Sequence, residues 1–207
     1  MMTAIVLAGG KSKRMGRDKL FIEIEGRCLL ERVLDTLRLI FEDIMIVAAS
    51  ADTGETLERF NRIGHRVVQD LIPDKASMGG LYTGLYYAAS DRVFAVGGDM
   101  PFLNKELIEY IISKDDYDIV IPRTSKGFHP LQAVYSKKCL PLMKAMIEEG
   151  DLSITRLVGK MKRYEINEEE LMSIDPNLSS LININRPEDL EFIKGLHSRS
   201  GLSGGKI

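Results

Sequence analysis

The sequence predicts an α/β protein, a three-layer α/β/α sandwich around a mostly parallel, Rossmann-like sheet. Short runs rich in Ile and Val alternate with longer amphipathic stretches, which is typical of buried parallel strands covered by helices on both faces. Hydrophobic residues make up 44% of the 207 residues, enough for a core without disulfide or metal support. Since no repeat or long linker interrupts the pattern, we expect one domain over residues 1–197 and a disordered tail over residues 198–207, where Gly and Ser predominate.

The individual elements follow from the spacing of the apolar residues. Short apolar runs predict strands at residues 3–7, 44–48, 66–69, 92–96, 119–122 and 133–135. The amphipathic stretches between them predict helices at residues 29–40, 54–61, 79–90, 105–113 and 137–148. The pattern weakens after about residue 150, where we expect a helix near 152–158, strands near 162–166 and 181–184, and a helix over 187–197. Ligands of such sheets bind beyond the carboxyl ends of the strands, so the residues just after each strand are the candidate site residues.

Charge and composition favour a small-molecule substrate in the cytoplasm. The chain carries 28 basic and 30 acidic residues, a net charge of -2, so we expect neither nucleic acid nor a membrane surface as a partner. The apolar runs are shorter than the ~20 residues of a membrane helix, and the N-terminus shows the reverse of a signal peptide's order. Cys28 and Cys139 lie far apart without metal-binding spacing, which favours packing roles in a reducing compartment.

The loop after the first strand combines free backbone with positive charge. Gly9 and Gly10 are followed within ten residues by the cations Lys11, Lys13, Arg14, Arg17 and Lys19. Glycine lets main-chain N–H groups approach a triphosphate, and the cations neutralise charge on it. A Walker loop would require glycine at position 5, where this chain has Ile5. A dinucleotide-binding fingerprint would require glycine at position 11, where it has Lys11, so both motifs are excluded. A solvated basic loop between strand and helix remains the alternative to a phosphate site.

The complete string LAGGKSKRMGRDK at residues 7–19 resembles the L-A-G-G-x-S-x-R-M-G-x-D-K signature of the molybdenum cofactor guanylyltransferases. The resemblance implies that the nucleotide is bound by Leu7, Ala8, Gly9 and Gly10. It also implies that Arg14 and Lys19 hold phosphate oxygens and are catalytic. Relatives that transfer CMP tend to carry Ala at the position of Gly9 and to lack the Asp that is Asp18 here, so the string favours GTP.

Asp70 is the first candidate on the base and ribose side of the nucleotide. The family has an Asp at this place, followed by a G-P-L-x-G segment that resembles residues 76–80. Asp70 matches that pattern, whereas Gly-Pro-Leu is replaced here by Ala76, Ser77 and Met78. The alternative for Asp70 is a turn-forming role ahead of the loop at residues 73–74.

Asp99 is the candidate metal ligand, because it follows the apolar run 93–96 at the mouth of a predicted central strand. Mg²⁺ prefers oxygen ligands and commonly takes only one or two protein carboxylates plus substrate phosphates, so a single Asp is sufficient. Residues 98–102 also resemble the family's G-D-M-P-F, whose Asp binds the metal. The alternative is that Asp99 only caps the turn before Pro101.

The acceptor side rests on two weaker resemblances. His129 lies in a segment that resembles the family's H-P-L near the acceptor pterin, and Asn183 and Asn185 match the N-x-N-T-P-E-D-L motif near the active centre. A phosphate nucleophile is already ionised near neutral pH, so His129 has no proton to remove as a general base and a structural role is the alternative. The alternative for the asparagine segment is the start of a helix at Pro187. The segment has Arg186 where the family has Thr.

Together, these resemblances imply transfer of GMP from GTP to the terminal phosphate of molybdopterin, with Mg²⁺ held by Asp99 and pyrophosphate as leaving group. Expected partners are GTP and molybdopterin, together with molybdopterin synthesis and insertion proteins and apo-molybdoenzymes. Two alternatives stay open. One is a related nucleotidyltransferase that uses CTP, or an acceptor that is a sugar or alcohol phosphate. The other is a non-catalytic cofactor-binding adaptor.

Overall fold

The computed structural model describes residues 2–9, 19–24, 26–49, 54–184 and 189. Within these ranges the strands are β1 Thr3–Leu7, β2 Glu23–Ile24, β3 Arg27–Cys28, β4 Asp43–Ala48, β5 Arg66–Gln69, β6 Arg92–Gly97, β7 Ile119–Thr124, β8 Gly127–Phe128, β9 Gln132–Ser136 and β10 Arg163–Ile166. The α-helices are α1 Leu29–Arg38, α2 Gly54–Arg62, α3 Ala76–Tyr87, α4 Lys105–Ile112, α5 Leu140–Glu148, α6 Ile154–Lys160 and α7 Glu168–Ile174. Short 3-10 turns occupy Lys19–Phe21, Lys137–Cys139 and Ser179–Leu181.

The central sheet has the strand order β10-β7-β9-β6-β1-β4-β5, and β8 pairs with β7. β1 pairs in parallel with both β4 and β6, β4 with β5, and β7 with β10. β9 is antiparallel to both of its neighbours, β6 and β7. The mostly parallel sheet is therefore confirmed, and β9 begins at the edge where the parallel strands end.

Side chains alternate between the two faces of the sheet along each strand, so a separate apolar core forms on each face. In β1, Ala4 and Val6 pack with α1 and α4, whereas Ile5 and Leu7 pack with α3 on the opposite face. Phe60 of α2 and Leu171 of α7 join the first core, and α5 and α6 join the second. Helices therefore cover both faces of the sheet, which confirms the predicted three-layer sandwich. Among the described residues, every helix is too short or too polar to span a bilayer.

Most predicted elements are present with small shifts at their ends. The strands at 3–7 and 66–69 agree with the prediction, and the others differ by one or two residues at an end. The predicted helix 137–148 is divided, because the Ser136 side chain accepts a hydrogen bond from the Lys138 amide (3.1 Å) and shapes a 3-10 turn before α5, which has Pro141 in its first turn. The β2–β3 hairpin, β8 and α7 were not predicted.

The predicted strand at 181–184 was wrong. Ser180 donates to the Asp175 carboxylate from both its amide (2.9 Å) and its hydroxyl (2.7 Å), and Leu178 has a φ of 50°. These local bonds fold the segment into the turn Ser179–Leu181. Ile184 then donates its amide to the Asp99 carbonyl (2.9 Å), so the segment packs against the loop after β6. Apart from residue 189, the predicted helix 187–197 lies outside the described residues, as does the predicted tail 198–207.

The entrance to α3 uses backbone conformations that L-residues rarely adopt. Asp74 has a φ of 62° and Ala76 a φ of 49°, both in the left-handed region. Three residues later the helix packs tightly on the preceding loop, because a Cβ at Gly79 would lie 2.7 Å from the Ile72 carbonyl oxygen. The strain at Ala76 therefore helps to set the start of α3, the helix that follows Asp70.

We expect Ala76→Gly to raise the free energy of unfolding by about 0.5–1 kcal/mol. Glycine removes a left-handed cost of roughly 1–2 kcal/mol, and its extra freedom in the unfolded chain offsets part of that gain. The matched control is Ala145→Gly at an exposed position inside α5, which should lower stability by ~0.5–1 kcal/mol. Urea denaturation measures both, and a loss of similar size in the two variants would contradict the strain at Ala76.

Candidate active site

The carboxyl ends of the parallel strands meet along one edge of the sheet. Backbone hydrogen bonds continue past the strand ends there, from the Ala8 amide to the Val47 carbonyl (2.9 Å) and from the Gly98 amide to the Leu7 carbonyl (3.1 Å). A third joins the Asp70 amide to the Ala48 carbonyl (2.9 Å). The segments after β1, β4, β5 and β6 are thus fixed side by side, as the fold class predicts.

Lys19 and Asp99 form an ion pair at this edge. The Lys19 Nζ atom lies 2.6 Å from Asp99 Oδ2, and the two side chains are only 12% and 19% exposed. Lys19 begins the 3-10 turn whose buried Leu20 packs beside Gly98; a Cβ at that glycine would lie 3.1 Å from Leu20 Cδ2. Residues predicted from two motifs 80 positions apart are therefore in direct contact.

The loop that carries Asp99 is held from several sides. The Met100 amide donates to the Gly97 carbonyl (3.3 Å), and the Ile184 amide donates to the Asp99 carbonyl (2.9 Å). A Cβ at Gly97 would lie 2.6 Å from Asp99 Oδ1, so glycine leaves room for the carboxylate. The turn is closed by main-chain bonds while the carboxylate contacts Lys19. The alternative in which Asp99 only caps the turn is therefore not needed to explain this loop.

Asp70 has a clear structural role. Its Oδ1 atom accepts hydrogen bonds from the Thr83 hydroxyl (2.8 Å) and from the Ile72 amide (3.0 Å), and the Leu71 amide donates to the same hydroxyl (3.0 Å). The turn-forming role that the sequence allowed is thus present. These bonds fix the carboxylate next to the start of α3.

The residues predicted to bind the nucleotide at the end of β1 and just after it differ in their surroundings. Leu7 is buried in the core and packs against Gly80 of α3, so its side chain is a packing group. Ala8 is half-buried and Gly9 is exposed. A Cβ at Gly9 would make ordinary contacts of 3.4 Å with Ala49, so packing alone does not require glycine there. Of the predicted site residues, Gly10, Arg14 and Asn185 lie outside the described residues.

A cavity of about 240 Å³ lies beside the Asp99 loop. It brings together two of the predicted acceptor residues, His129 and Asn183. The complete lining is Ser77, Met100, Phe128, His129, Pro130, Leu131, Ile154, Leu181 and Asn183. Sequence reasoning did not single out Ser77, although it named the segment. Ile154 and Leu181 come from the C-terminal third, where the sequence pattern carries no signal that would have found them.

His129 is bonded into the turn between β8 and β9. Its Nε2 atom lies 2.9 Å from the Thr124 hydroxyl, and its amide donates to the Pro122 carbonyl (2.9 Å). Burial lowers the pKa of His129 and the nearby Lys126 lowers it further, while Glu168 acts in the opposite direction. The imidazole is therefore neutral at pH 7, and the structural alternative raised by the sequence agrees with these contacts.

The two cysteines and two exposed arginines are accounted for by packing and ion pairs. Cys28 and Cys139 are buried and free, and burial raises the pKa of their thiols to about 11 and about 12, so neither is a nucleophile near neutral pH. Arg123 and Arg156 pair with Glu165 (2.7 Å) and Asp151 (2.8 Å). Among the described residues, no three His, Cys, Asp or Glu side chains cluster as a metal site.

Comparison with known proteins assigns the fold and motifs to a family. The family model described as "MobA-like NTP transferase domain" matches residues 4–164. A protein named probable molybdenum cofactor guanylyltransferase, from Natranaerobius thermophilus, is 36% identical over 195 residues, which cover 92% of this chain and 93% of that protein.

Solved structures agree with this assignment. Molybdopterin-guanine dinucleotide biosynthesis protein A from Archaeoglobus fulgidus has a TM-score of 0.80 and 25% identity, covering 96% of this chain and all of that one. A 4-diphosphocytidyl-2C-methyl-D-erythritol synthase from Anaerococcus prevotii, with a TM-score of 0.72 and 20% identity over 96% of each chain, shares the fold. The resemblance drawn from the motifs is confirmed, and the chain belongs to the family of MobA-like NTP transferase domains.

Proposed function

We propose that this protein is a molybdenum cofactor guanylyltransferase, which transfers GMP from GTP to the terminal phosphate of molybdopterin. The observation that carries the proposal is the Lys19–Asp99 pair, a cation and a carboxylate held 2.6 Å apart beside a cavity. The names of relatives that match more than nine-tenths of the chain support GTP and molybdopterin as the substrates.

The residues at the site fit a magnesium ion. NTP transferases of this family typically use a divalent metal, and we propose that the ion here is Mg²⁺. Asp99 offers carboxylate oxygens, the ligand type that Mg²⁺ prefers, and one protein carboxylate is enough when phosphates and waters complete the shell. When bound, the ion neutralises charge on the phosphates.

The chain's own residues then position the reactants. Gly9 and Gly10 offer main-chain N–H groups to the phosphates, and Lys19 and Arg14 offset the negative charge that develops during transfer. An oxygen of the acceptor's terminal phosphate attacks the α-phosphorus, the bond from that phosphorus to the bridging oxygen breaks, and pyrophosphate leaves with the electron pair. The nucleophile is already ionised, so the neutral His129 is not required as a base.

Binding of the nucleotide has to separate Lys19 from Asp99. In the free protein each charge neutralises the other in a partly buried place. A triphosphate gives the Lys19 ammonium a new anionic partner, and Asp99 can then hold the metal. We infer that nucleotide and metal bind together, because each compensates the charge that the other uncovers.

Further ligand roles belong to the same proposal. Asp70, fixed by Thr83, lies on the base and ribose side, and His129 and Asn183 contact the acceptor from the cavity wall. Asn185 lies in the segment that follows Asn183 and takes part in the same binding. We propose a single nucleotidyltransferase domain over residues 1–197, located in the cytoplasm, where molybdopterin synthesis and insertion proteins and apo-molybdoenzymes are its protein partners.

Two alternative functions differ from this one in testable ways. A transferase that uses CTP, or a sugar or alcohol phosphate as acceptor, would share the same loop and Asp99, and the fold does not choose between them. A non-catalytic adaptor would not need a partly buried cation beside a carboxylate, so the Lys19–Asp99 pair argues against it.

We expect Asp99→Asn to reduce turnover by at least ~100-fold, equivalent to about 2.7 kcal/mol of barrier, because the neutral amide binds Mg²⁺ poorly. Asp115→Asn is the matched control, since that side chain is 84% exposed and pairs with Arg92 at the surface. Steady-state transfer assays with saturating Mg²⁺ measure the effect. Near-normal turnover in Asp99→Asn would refute the metal assignment.

Calorimetry with GTP, CTP, ATP and UTP in the presence of Mg²⁺ tests the choice of nucleotide. We expect selective binding of GTP, weakened at least ~10-fold in Lys19→Ala through loss of a charge-assisted phosphate contact. Selective binding of CTP would support the related transferase. If no triphosphate bound, the interpretation of the loop at residues 7–19 would be wrong.

Metal binding without nucleotide tests the exchange of partners at Asp99. We expect Lys19→Met to bind Mn²⁺, a spectroscopic substitute for Mg²⁺, at least ~10-fold more tightly than the unmodified protein, because the competing ammonium is gone. Lys144→Met, which removes an exposed lysine of α5, should leave Mn²⁺ affinity unchanged. Equal affinities in all three proteins, measured by electron paramagnetic resonance, would show that Lys19 does not compete for Asp99.

A further inference from the structure

Gln132 differs from the other buried polar side chains of the site. It is the first residue of β9 and 0% of its surface is exposed. Neither its carboxamide nitrogen nor its carboxamide oxygen has a hydrogen-bond partner within the described part of the chain. Polar groups of nearby segments are bonded, as in the contacts of Thr124 with His129 (2.9 Å) and of Tyr135 with the Pro130 carbonyl (2.8 Å). An unpaired buried amide is costly, so it requires an explanation.

The strand register places Gln132 next to the active site. Gln132 lies opposite Val96 of β6, one residue before the Gly97 at which the Asp99 loop begins. The preceding residue, Leu131, lines the cavity beside that loop. The Gln132 amide donates a hydrogen bond to the carbonyl of His129 (3.3 Å), and His129 also lines the cavity. Gln132 thus directly follows a residue that lines the cavity, although it does not line the cavity itself.

The fold itself does not require an amide at this position. Residues opposite each other in an antiparallel pair share a face of the sheet, so Gln132 shares its face with Val96. Val134 is the next residue of β9 on that face. Val96 and Val134 both pack in the apolar core below α1 and α4. An unbranched apolar side chain of the same length would fill the space without leaving two polar groups unpaired. A residue that breaks a local rule of stability beside a site is a candidate for function.

We propose that Gln132 is a specificity-determining residue for the acceptor, whose heterocycle takes up the hydrogen bonds that the carboxamide lacks in the free protein. This inference rests on the proposed function, which makes the acceptor a pterin. A carboxamide presents an N–H donor and a carbonyl acceptor side by side, and the pterin ring presents the complementary pair, a ring N–H beside a carbonyl. Because Gln132 is fully buried and is not among the residues that line the cavity, the ring reaches the carboxamide only when the cavity wall opens.

The size of the cavity agrees with this occupant. At about 240 Å³ it is smaller than the ~300–1,000 Å³ of pockets that enclose a whole drug-sized ligand, so it suits one ring system while the rest of the acceptor extends toward Asp99. Phe128, Pro130, Ile154 and Leu181 give it apolar walls on which a flat heterocycle can pack. Ring recognition and phosphate positioning are thereby divided between the cavity and the Asp99 loop.

The test compares the unmodified protein with Gln132→Met, which keeps the length of the side chain and removes the amide. The probe is 6-hydroxymethylpterin, whose fluorescence reports its binding to the GTP-loaded full chain. We expect the Tm of the variant to rise by about 2–4 °C, since two unpaired groups are removed. Pterin binding should weaken at least ~10-fold while the Kd for GTP stays within about 2-fold. Gln69→Met at an exposed position of β5 is the control and should change none of these values.

Each other outcome has a definite meaning. A higher Tm with unchanged pterin binding overturns the proposal, because the amide would then serve no ligand. A lower Tm, in Gln132→Met and also in Gln132→Leu, overturns it as well, because the amide would already be satisfied in the free protein. If the unmodified protein binds GTP but not the pterin, the proposed acceptor itself is wrong, which is a different failure from that of Gln132.

Discussion

The ion pair between Lys19 and Asp99 is the contact on which the site depends. It joins the segment after β1 to the segment after β6, two neighbouring parallel strands, and both side chains are largely withdrawn from water. Taking two charges out of water is costly, and such pairs often contribute little net stability compared with apolar packing. Their presence here is better explained by chemistry than by folding. The proposed function gives both charges a use, the cation at the phosphates and the carboxylate at the metal.

Three features that reduce stability lie in segments next to the candidate active site. Ala76 holds a left-handed backbone at the start of α3, Gln132 buries an unpaired amide at the start of β9, and Asp99 lies partly buried next to a glycine that leaves it room. The two apolar cores on either side of the sheet obey the usual alternation of packing residues. Departures from local rules are common at functional sites, and these three agree with the candidate site. They do not define it, because Asp116, just before β7, also has a left-handed backbone (φ 57°).

The sequence predicted the layers of the fold because periodicity reports burial directly. β1 and β5 agree with the predicted ranges. The direction of β9 was not predicted, because an apolar run does not show whether a strand is parallel or antiparallel to its neighbours. The false strand at 181–184 reflects side-chain bonds from Ser180 to Asp175, which override the preference of an Ile-rich segment. Motifs identified Lys19 and Asp99 separately, whereas their contact depends on the sheet order, which only the three-dimensional structure supplies.

The structural and functional interpretations of the polar residues do not compete. Asp70 forms its turn through Thr83 and Ile72, and His129 holds its loop through Thr124. A side chain that binds a ligand with precision has to be immobile before the ligand arrives, and such hydrogen bonds supply that immobility. A turn-forming Asp is therefore better suited to a nucleotide than a mobile one. A binding residue differs from a purely structural one because it has a polar atom that can bond to the ligand. Whether a residue has a binding role is decided by comparing ligand affinity with and without that atom.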